Sequence, residues 1–202
     1  MIKIAVFASG SGSNAENIAR YFSENKDITV SLIVSNKHDA FVHERAKMLH
    51  IPSFTFSKEE FREGKCVLEL MHAYEIDFIV LAGFLLKIPN LLLSNYPYKI
   101  INIHPALLPK YGGKGMYGEK VHKAVIEAQE AESGITIHYV NEKYDEGNII
   151  FQTGCDIPSG ADYKKLAETV HNLEYQYFPE VIEKVARKAC YGLDEKIRDF
   201  EL

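Results

Sequence analysis

The sequence predicts an α/β protein whose mostly parallel sheet is flanked by helices. Two observations support this prediction. In the first half of the chain, short apolar runs rich in β-branched residues alternate with amphipathic stretches, the pattern of a parallel sheet whose strands are joined by helices. In the second half, two extended runs lie close together in sequence, which indicates strands added antiparallel to one edge.

Five extended segments form the predicted parallel part of the sheet, at residues 2–8, 28–35, 53–56, 78–82 and 99–104. Apolar residues three or four positions apart predict the helices between them, at 14–23, 40–49 and 61–74. A strand, a helix and a parallel strand form a right-handed unit, and a series of such units gives a Rossmann-like fold.

The second half adds a glycine-containing loop, a helix and two strands, at 107–118, 119–129, 134–140 and 148–156. A turn at 141–147 joins the two strands and permits their antiparallel pairing. A long C-terminal helix is predicted at 162–187, with a break near Pro179, because proline interrupts the hydrogen bonds of a helix. No linker-like or repeated segment divides the chain, so we expect a single domain over residues 1–202.

Composition and charge argue against several classes of protein. The chain has 23 Lys and Arg against 28 Asp and Glu, a formal net charge of −5, so a broad surface for a nucleic-acid backbone is not expected. Its apolar runs are too short for a signal peptide or for the roughly 18 residues that cross a bilayer. The three cysteines are far apart and odd in number, which favours a reducing compartment. We therefore expect a cytoplasmic protein without membrane or nucleic-acid partners.

The turn SGSGSN at residues 9–14 lies between the first predicted strand and the first helix. Glycines let the backbone turn tightly, and the amides at a helix N-terminus attract a phosphate group. Ala15 stands where a dinucleotide-binding GxGxxG motif requires glycine, so a monophosphate ligand is favoured over a dinucleotide. The alternative is a plain helix start, in which Ser13 or Asn14 caps the helix.

Asn102 and His104 lie two residues apart at the end of the strand predicted at 99–104, and therefore on one face. Pro105 holds His104 in extended geometry. Ligands of open α/β sheets bind beyond the carboxyl ends of the parallel strands, where this pair would lie. An amide and an imidazole can polarise a carbonyl group and stabilise the oxyanion that forms on nucleophilic attack. A hydrogen-bonded pair that closes the sheet edge is the structural alternative.

Asp145 precedes Glu146 and Gly147 in the predicted turn, a setting that is common in turns without chemistry. If the chain folds so that Asp145 approaches His104, its carboxylate would favour the imidazolium form and orient the ring. The remaining histidines have no spacing typical of zinc ligands, so no metal site is expected.

Several segments together resemble the phosphoribosylglycinamide formyltransferase family, the glycinamide ribonucleotide transformylases of the formyltransferase superfamily. The segments are ASGSGSN at 8–14, VSNK at 34–37, VLAGF at 80–84, INIHPALLP at 101–109 and YDEG at 144–147. The Asn-x-His-Pro-x-Leu-Leu-Pro stretch with a later Asp-x-Gly is specific for the superfamily, and the serine- and glycine-rich turn points to the glycinamide ribonucleotide branch. The resemblance covers nearly the whole chain.

The resemblance implies formyl transfer from 10-formyltetrahydrofolate, a co-substrate, to the amine of glycinamide ribonucleotide in purine biosynthesis, without a metal. It also implies that Asn102 and protonated His104 hold the oxyanion and that Asp145 assists them. The implied substrate-binding residues are Gly12, Ser13, Asn14, His171 and Glu174. The implied folate-binding residues are Arg62, Leu85, Leu86, Lys87, Ile88, Asn102, Asn141 and Asp145.

From this resemblance we expect a phosphate-binding half at about residues 1–100 and a catalytic and folate-binding half at about 101–202. The partners are expected to be small-molecule substrates, and the sequence leaves open whether the protein is a monomer or a homodimer. A methionyl-tRNA formyltransferase would share the Asn, His and Asp. It would also need a basic C-terminal domain, which 202 residues with a net charge of −5 do not provide.

Two further alternatives remain. A formyltetrahydrofolate hydrolase would share the catalytic centre and use water as the acceptor, but it usually carries an added regulatory domain. A non-enzymatic nucleotide-binding module would use the turn at 9–14 alone, and it leaves the shared face of Asn102 and His104 unexplained.

Overall fold

The structure, a computed structural model, describes residues 1–192. The strands in this range are β1 (Ile2–Phe7), β2 (Ile28–Ser35), β3 (Ser53–Thr55), β4 (Phe78–Leu81), β5 (Ile100–His104), β6 (Glu132–Tyr139) and β7 (Ile149–Asp156). The helices are α1 (Ser13–Tyr21), α2 (Val42–Met48), α3 (Lys58–Glu63), α4 (Lys65–Ala73), α5 (Asn90–Asn95), α6 (Glu119–Glu127) and α7 (Tyr163–Tyr191).

The strands form one mixed sheet in the order β3-β2-β1-β4-β5-β6-β7. The first five strands along the chain pair parallel, and β6 and β7 pair antiparallel at one edge. The predicted fold class is therefore confirmed. From β1 the next strands along the chain, β2 and β3, lie on one side, and β4 and β5 lie on the other. This change of direction between β1 and β4 opens a crevice beyond their carboxyl ends, where ligands of such sheets bind.

Apolar side chains cover both faces of the sheet, as the alternation of residues along β1 illustrates. Ile4 and Val6 pack with α1, α2, α6 and α7 on one face. Ala5 and Phe7 pack with α3, α4 and α5 on the other. A central strand that is buried on both faces requires the continuous apolar run seen in the sequence.

The helix predicted at 61–74 is wrong, because Gly64 divides it into α3 and α4. Gly64 has a φ of 76°, a left-handed conformation that ends α3 and that glycine adopts without strain. Ser57 starts α3 with a capping box, in which its side chain accepts from the amide of Glu60 and the Glu60 side chain accepts from the amide of Ser57. Helix α5, which follows Pro89, was not predicted.

The break predicted near Pro179 is also wrong, because α7 is continuous from Tyr163 to Tyr191. Proline leaves the carbonyl of Tyr175, four residues earlier, without its usual amide donor. The Asn17 side chain of α1 donates to this carbonyl at 3.0 Å. A tertiary hydrogen bond thus replaces the missing helical one. The expectation of a single domain over 1–202 includes residues outside the described range and stays a prediction.

Candidate active site

A cavity of about 590 Å³ lies beyond the carboxyl ends of β1, β4 and β5. Its lining comes from the turn at 10–14, from the segments 82–86, 102–105, 113–118 and 144–145, from one residue each of α3 and α6, and from two residues of α7. The volume falls within the range typical of small-molecule sites. Residues predicted for phosphate binding and for catalysis therefore border the same space.

One end of the cavity is the turn between β1 and α1, whose shape depends on Gly12. Gly12 has a φ of 72°, and a Cβ at this position would clash with the side chain of Val42. Helix α2 holds this turn in place by donating hydrogen bonds to two carbonyl groups of the turn. The Val42 amide donates to the Gly10 carbonyl at 3.2 Å, and Arg45 Nε donates to the Ser11 carbonyl at 2.8 Å.

The alternative in which Ser13 or Asn14 caps α1 is wrong. Gly12 occupies the N-cap position, and within the described residues no side chain forms a cap hydrogen bond there. The two side chains turn instead towards α7: Ser13 Oγ lies 3.0 Å from His171 Nε2, and Asn14 Nδ2 donates to Glu174 Oε2 at 2.8 Å. The first amides of α1 are therefore available to an anion.

His171 and Glu174 form an ion pair beside this turn, with His171 Nδ1 2.9 Å from Glu174 Oε2. The hydrogen bond to Glu174 raises the pKa of His171 above its ordinary value, although partial burial opposes the shift. Glu174 itself is buried. A cationic imidazole thus lies next to the uncapped N-terminus of α1, and both favour a negative ligand.

The other end of the cavity brings Asn102, His104 and Asp145 together, as their proposed role requires, and adds His138. Asn102 lies opposite His138 in the β5–β6 pairing. Asn102 Nδ2 and His138 Nε2 are 3.1 Å apart, and His138 Nδ1 is 2.9 Å from its neighbour's carbonyl, that of Tyr139. This hydrogen-bond pattern assigns the His138 proton to Nδ1, so Nε2 accepts from Asn102.

His104 is buried, and the two sides of its ring face different groups. Its Nε2 lies 2.8 Å from the Tyr111 carbonyl, to which it donates. Its Nδ1 lies 3.6 Å from Asp145 Oδ2. Burial lowers the pKa of His104 below its ordinary value, and the opposing effect of Asp145 is smaller. Asp145 acts on His104 in the expected direction, but desolvation of the imidazolium outweighs this attraction, and the role of Asp145 in keeping His104 charged stays a prediction.

The position of Asp145 depends on the backbone conformation of its own loop and on a hydrogen bond from the glycine-rich loop that contains Gly113. Its φ is 55°, a left-handed conformation that aspartate and asparagine tolerate better than most residues. The Gly113 amide donates to Asp145 Oδ2 at 2.8 Å, and Asp145 Oδ1 lies 3.6 Å from His138 Nε2. Burial acts to raise the pKa of Asp145, but the protonated forms of His138 and His104 and the Gly113 amide together lower it.

Two hydroxyl groups hold the backbone around the site. Thr136 Oγ1 donates to the Ala106 carbonyl at 2.7 Å and accepts from the Leu108 amide at 3.0 Å, which fixes the segment after His104. Ser9 Oγ donates to Asn36 Oδ1 at 2.5 Å and accepts from the Leu85 amide at 2.9 Å. Ser9 thus ties the end of β1 to the segment at 82–86.

The remaining sequence-predicted folate residues divide into two groups. Leu85 and Leu86 line the cavity. The others do not border it within the described residues; these are Arg62, Lys87, Ile88 and Asn141. Ile88 is buried in the core below α3–α5, so only its backbone could reach a ligand.

Sequence reasoning missed several polar residues that border this space or its catalytic end. Lys58 of α3, Lys114 of the loop at 113–118 and His122 of α6 are among those that line the cavity, and His138 contacts Asn102. No local signal pointed to His138, because its contact with Asn102 depends on the register in which β6 pairs with β5. Among residues 1–192, no group of three or more His, Cys, Asp or Glu side chains could hold a metal ion, and no helix is long and apolar enough to cross a membrane.

Comparison with known proteins places this geometry in context. The model of the formyl transferase family matches residues 2–182. The chain is 43% identical over 188 residues to the chloroplastic phosphoribosylglycinamide formyltransferase of Arabidopsis thaliana. The aligned region covers 89% of this chain and 64% of that protein. The chain is 39% identical over 190 residues to the phosphoribosylglycinamide formyltransferase of Bacillus subtilis, covering 92% and 95% of the two chains.

Solved structures agree with this likeness. The crystal structure of phosphoribosylglycinamide formyltransferase from Streptococcus pneumoniae is similar with a TM-score of 0.81 at 34% identity, covering 92% of this chain and 99% of that one.

Proposed function

The chain belongs to the formyl transferase family, and from this premise we propose that it transfers a formyl group from 10-formyltetrahydrofolate to the amine of glycinamide ribonucleotide. One observation carries the proposal: an anion-binding helix terminus and the cluster of Asn102, His104 and Asp145 border the same cavity. A ribonucleotide with a phosphate at one end and an amine at the other suits such an arrangement.

The phosphate is proposed to bind the amides of Gly12, Ser13 and Asn14. The uncapped first turn of α1 supplies partial positive charge, and His171 adds a cationic imidazole 3.0 Å from Ser13 Oγ. Glu174 keeps His171 charged and is close enough to meet the sugar that follows the phosphate.

His104 is proposed to accept the proton that the attacking amine loses. Because its Nε2 donates to the Tyr111 carbonyl, the neutral ring carries its lone pair on Nδ1, towards Asp145 and the cavity. The lowered pKa of His104 keeps this lone pair available at neutral pH. Once protonated, Nδ1 faces the Asp145 carboxylate, which stabilises the imidazolium.

Asn102 is proposed to donate to the formyl oxygen as negative charge develops on it. One hydrogen of its amide nitrogen is directed to His138, and the second is free for a ligand.

In the proposed reaction, the amine nitrogen of the ribonucleotide forms a bond to the formyl carbon, and the bond from that carbon to N10 of the folate breaks. The proton taken up by His104 is returned to N10, so the chain ends each turnover unchanged.

The folate is proposed to lie along the segment at 82–86, where the cavity is bordered by backbone and by Leu85 and Leu86. Apolar side chains and exposed backbone suit a flat heterocycle that needs both stacking and hydrogen bonds. Arg62, Lys87 and Asn141 lie outside the lining, so Lys58 and Lys114, which belong to it, are the better-placed cations for a negatively charged tail. A cytoplasmic location, small-molecule partners and independence from metals remain predictions.

A product assay tests the proposal. The purified protein is incubated with 10-formyltetrahydrofolate and either glycinamide ribonucleotide, initiator tRNA or buffer, and the products are separated. Formylglycinamide ribonucleotide is the expected product. Formylated tRNA or free formate would instead indicate the transferase or hydrolase alternatives, and no product would leave a nucleotide-binding module. The His104→Ala protein, purified identically, controls for contaminating host enzyme.

A further inference from the structure

His122 lies in the first half of α6 and takes no part in the chemistry described above. Its side chain is buried, with 6% of the residue exposed, yet it borders the cavity. Its Nδ1 atom is fully covered and has no hydrogen-bond partner within the described residues. Buried polar side chains normally have partners, so this ring requires an explanation.

The covered Nδ1 determines where the proton of a neutral His122 resides. A proton on Nδ1 would be buried without an acceptor, whereas a proton on Nε2 leaves only a lone pair buried. Because Nδ1 is covered, the ring meets the cavity through its opposite edge, which carries Nε2. His122 therefore offers the cavity a neutral N–H donor.

The surroundings of His122 also disfavour its charged form. Burial lowers its pKa below the ordinary value, and the cationic forms of His171 on α7 and His104 on β5 act in the same direction. Glu174 on α7 and Glu119 on α6 oppose this shift but do not reverse it. These effects together favour the neutral ring of His122.

We propose that His122 binds a ribose hydroxyl of the ribonucleotide by donating from Nε2. The inference rests on the proposed function, because it places the sugar between the phosphate at the α1 terminus and the amine at His104. His122 interacts electrostatically with His171 at the phosphate end and with His104 at the catalytic end, so it lies near both. This position suits the sugar that joins the phosphate to the amine, and a ribose hydroxyl can accept the hydrogen bond that Nε2 offers.

Three variants with two substrates test the role of His122. His122→Phe keeps the ring volume without a donor, and His122→Gln restores an N–H at a similar reach. We expect His122→Phe to raise the KM for glycinamide ribonucleotide about 5- to 10-fold, the effect of one hydrogen bond, with kcat and the KM for the folate nearly unchanged. His122→Gln should recover most of this loss. His72→Phe, at an exposed site on α4, is the matched control.

The hydroxyl is identified with the 2′-deoxy and 3′-deoxy forms of the substrate. For the form that lacks the bonded hydroxyl, wild type and His122→Phe should have equal KM values. If His122→Phe raises the KM relative to wild type equally for both deoxy forms, the assignment to a ribose hydroxyl is overturned. If the KM of His122→Phe for glycinamide ribonucleotide equals that of wild type, the binding role itself is overturned.

A measurement on the free protein separates this inference from the proposed function. Nitrogen NMR of labelled histidine should show that the neutral ring of His122 carries its proton on Nε2. A neutral ring protonated on Nδ1 would overturn the inference even if the enzyme formylates its substrate. Absence of formyl transfer by wild type would overturn the proposed function and, with it, the ribose assignment, whatever the tautomer.

Discussion

The two ends of the cavity are built in different ways. The turn at 9–14 is contiguous in sequence and offers backbone amides, which α2 holds in place through the carbonyls of Gly10 and Ser11. The catalytic end gathers side chains from two strands and a loop, namely Asn102, His104, His138 and Asp145. Substitutions at the first end should therefore alter folding or substrate binding, and those at the second should alter the rate.

The largest expected effect is on turnover when the catalytic end loses its imidazole. His104→Ala should lower kcat by about 10²- to 10⁴-fold, as expected for a lost proton acceptor. Folate binding, measured by titration calorimetry, should change little because the segment at 82–86 is held by Ser9. Unchanged turnover in a folded His104→Ala protein would reduce His104 to a structural residue.

Asp145→Asn should lower kcat by about tenfold or more while leaving the fold intact, because asparagine tolerates the φ of 55° at this position. Asp145 raises the pKa of His104 against the effect of burial. Its removal should therefore lower that pKa further, so that the acidic limb of the pH–rate profile moves to lower pH. A variant with wild-type kcat and the same profile would leave Asp145 as a turn residue only.

At the phosphate end, Gly12→Ala should destabilise the protein by about 1–3 kcal/mol, from left-handed strain and contact with Val42. Gly12→Val would clash with Val42 more severely, so a rise in KM for this variant would not distinguish lost phosphate binding from lost folding. Urea unfolding gives the free energy directly. Gly10→Ala is the control, since nothing lies within 4 Å of a Cβ there, and equal losses in both variants would contradict the packing explanation.

The smallest expected effect is at His171, which is partly exposed and so partly screened. Glu174 raises the pKa of His171, so the ring stays charged to a higher pH than an ordinary histidine. As the pH rises through this pKa the charge is lost, and the KM for glycinamide ribonucleotide should rise by about threefold. In His171→Gln the KM should already be higher and should not show this rise, which steady-state kinetics at several pH values can measure.

The two ends also differ in how far the sequence predicted them. The turn at 9–14 and the shared face of Asn102 and His104 follow from local spacing, and the structure has both. The approach of Asp145 to His104 and the contact of His138 with Asn102 depend on the β5–β6 register and on how the following loop folds back. No local pattern encodes these contacts.

The errors in the predicted helices have the same origin. Helix α7 continues through Pro179 because Asn17, which is distant in sequence, supplies the missing donor to Tyr175. The lowering of the His104 pKa was not predicted, because the burial that outweighs the effect of Asp145 cannot be read from the local sequence. In each case a tertiary environment overrides a correct local tendency.

The most direct test of the difference between the two ends is a crystal structure of this protein with glycinamide ribonucleotide bound. We predict that the phosphate lies within hydrogen-bond distance of the amides of Gly12, Ser13 and Asn14, and that the amine points to His104 Nδ1 and Asp145. A phosphate held by the loop at 113–118, or an amine directed away from His104, would contradict the assignment of binding to one end and chemistry to the other.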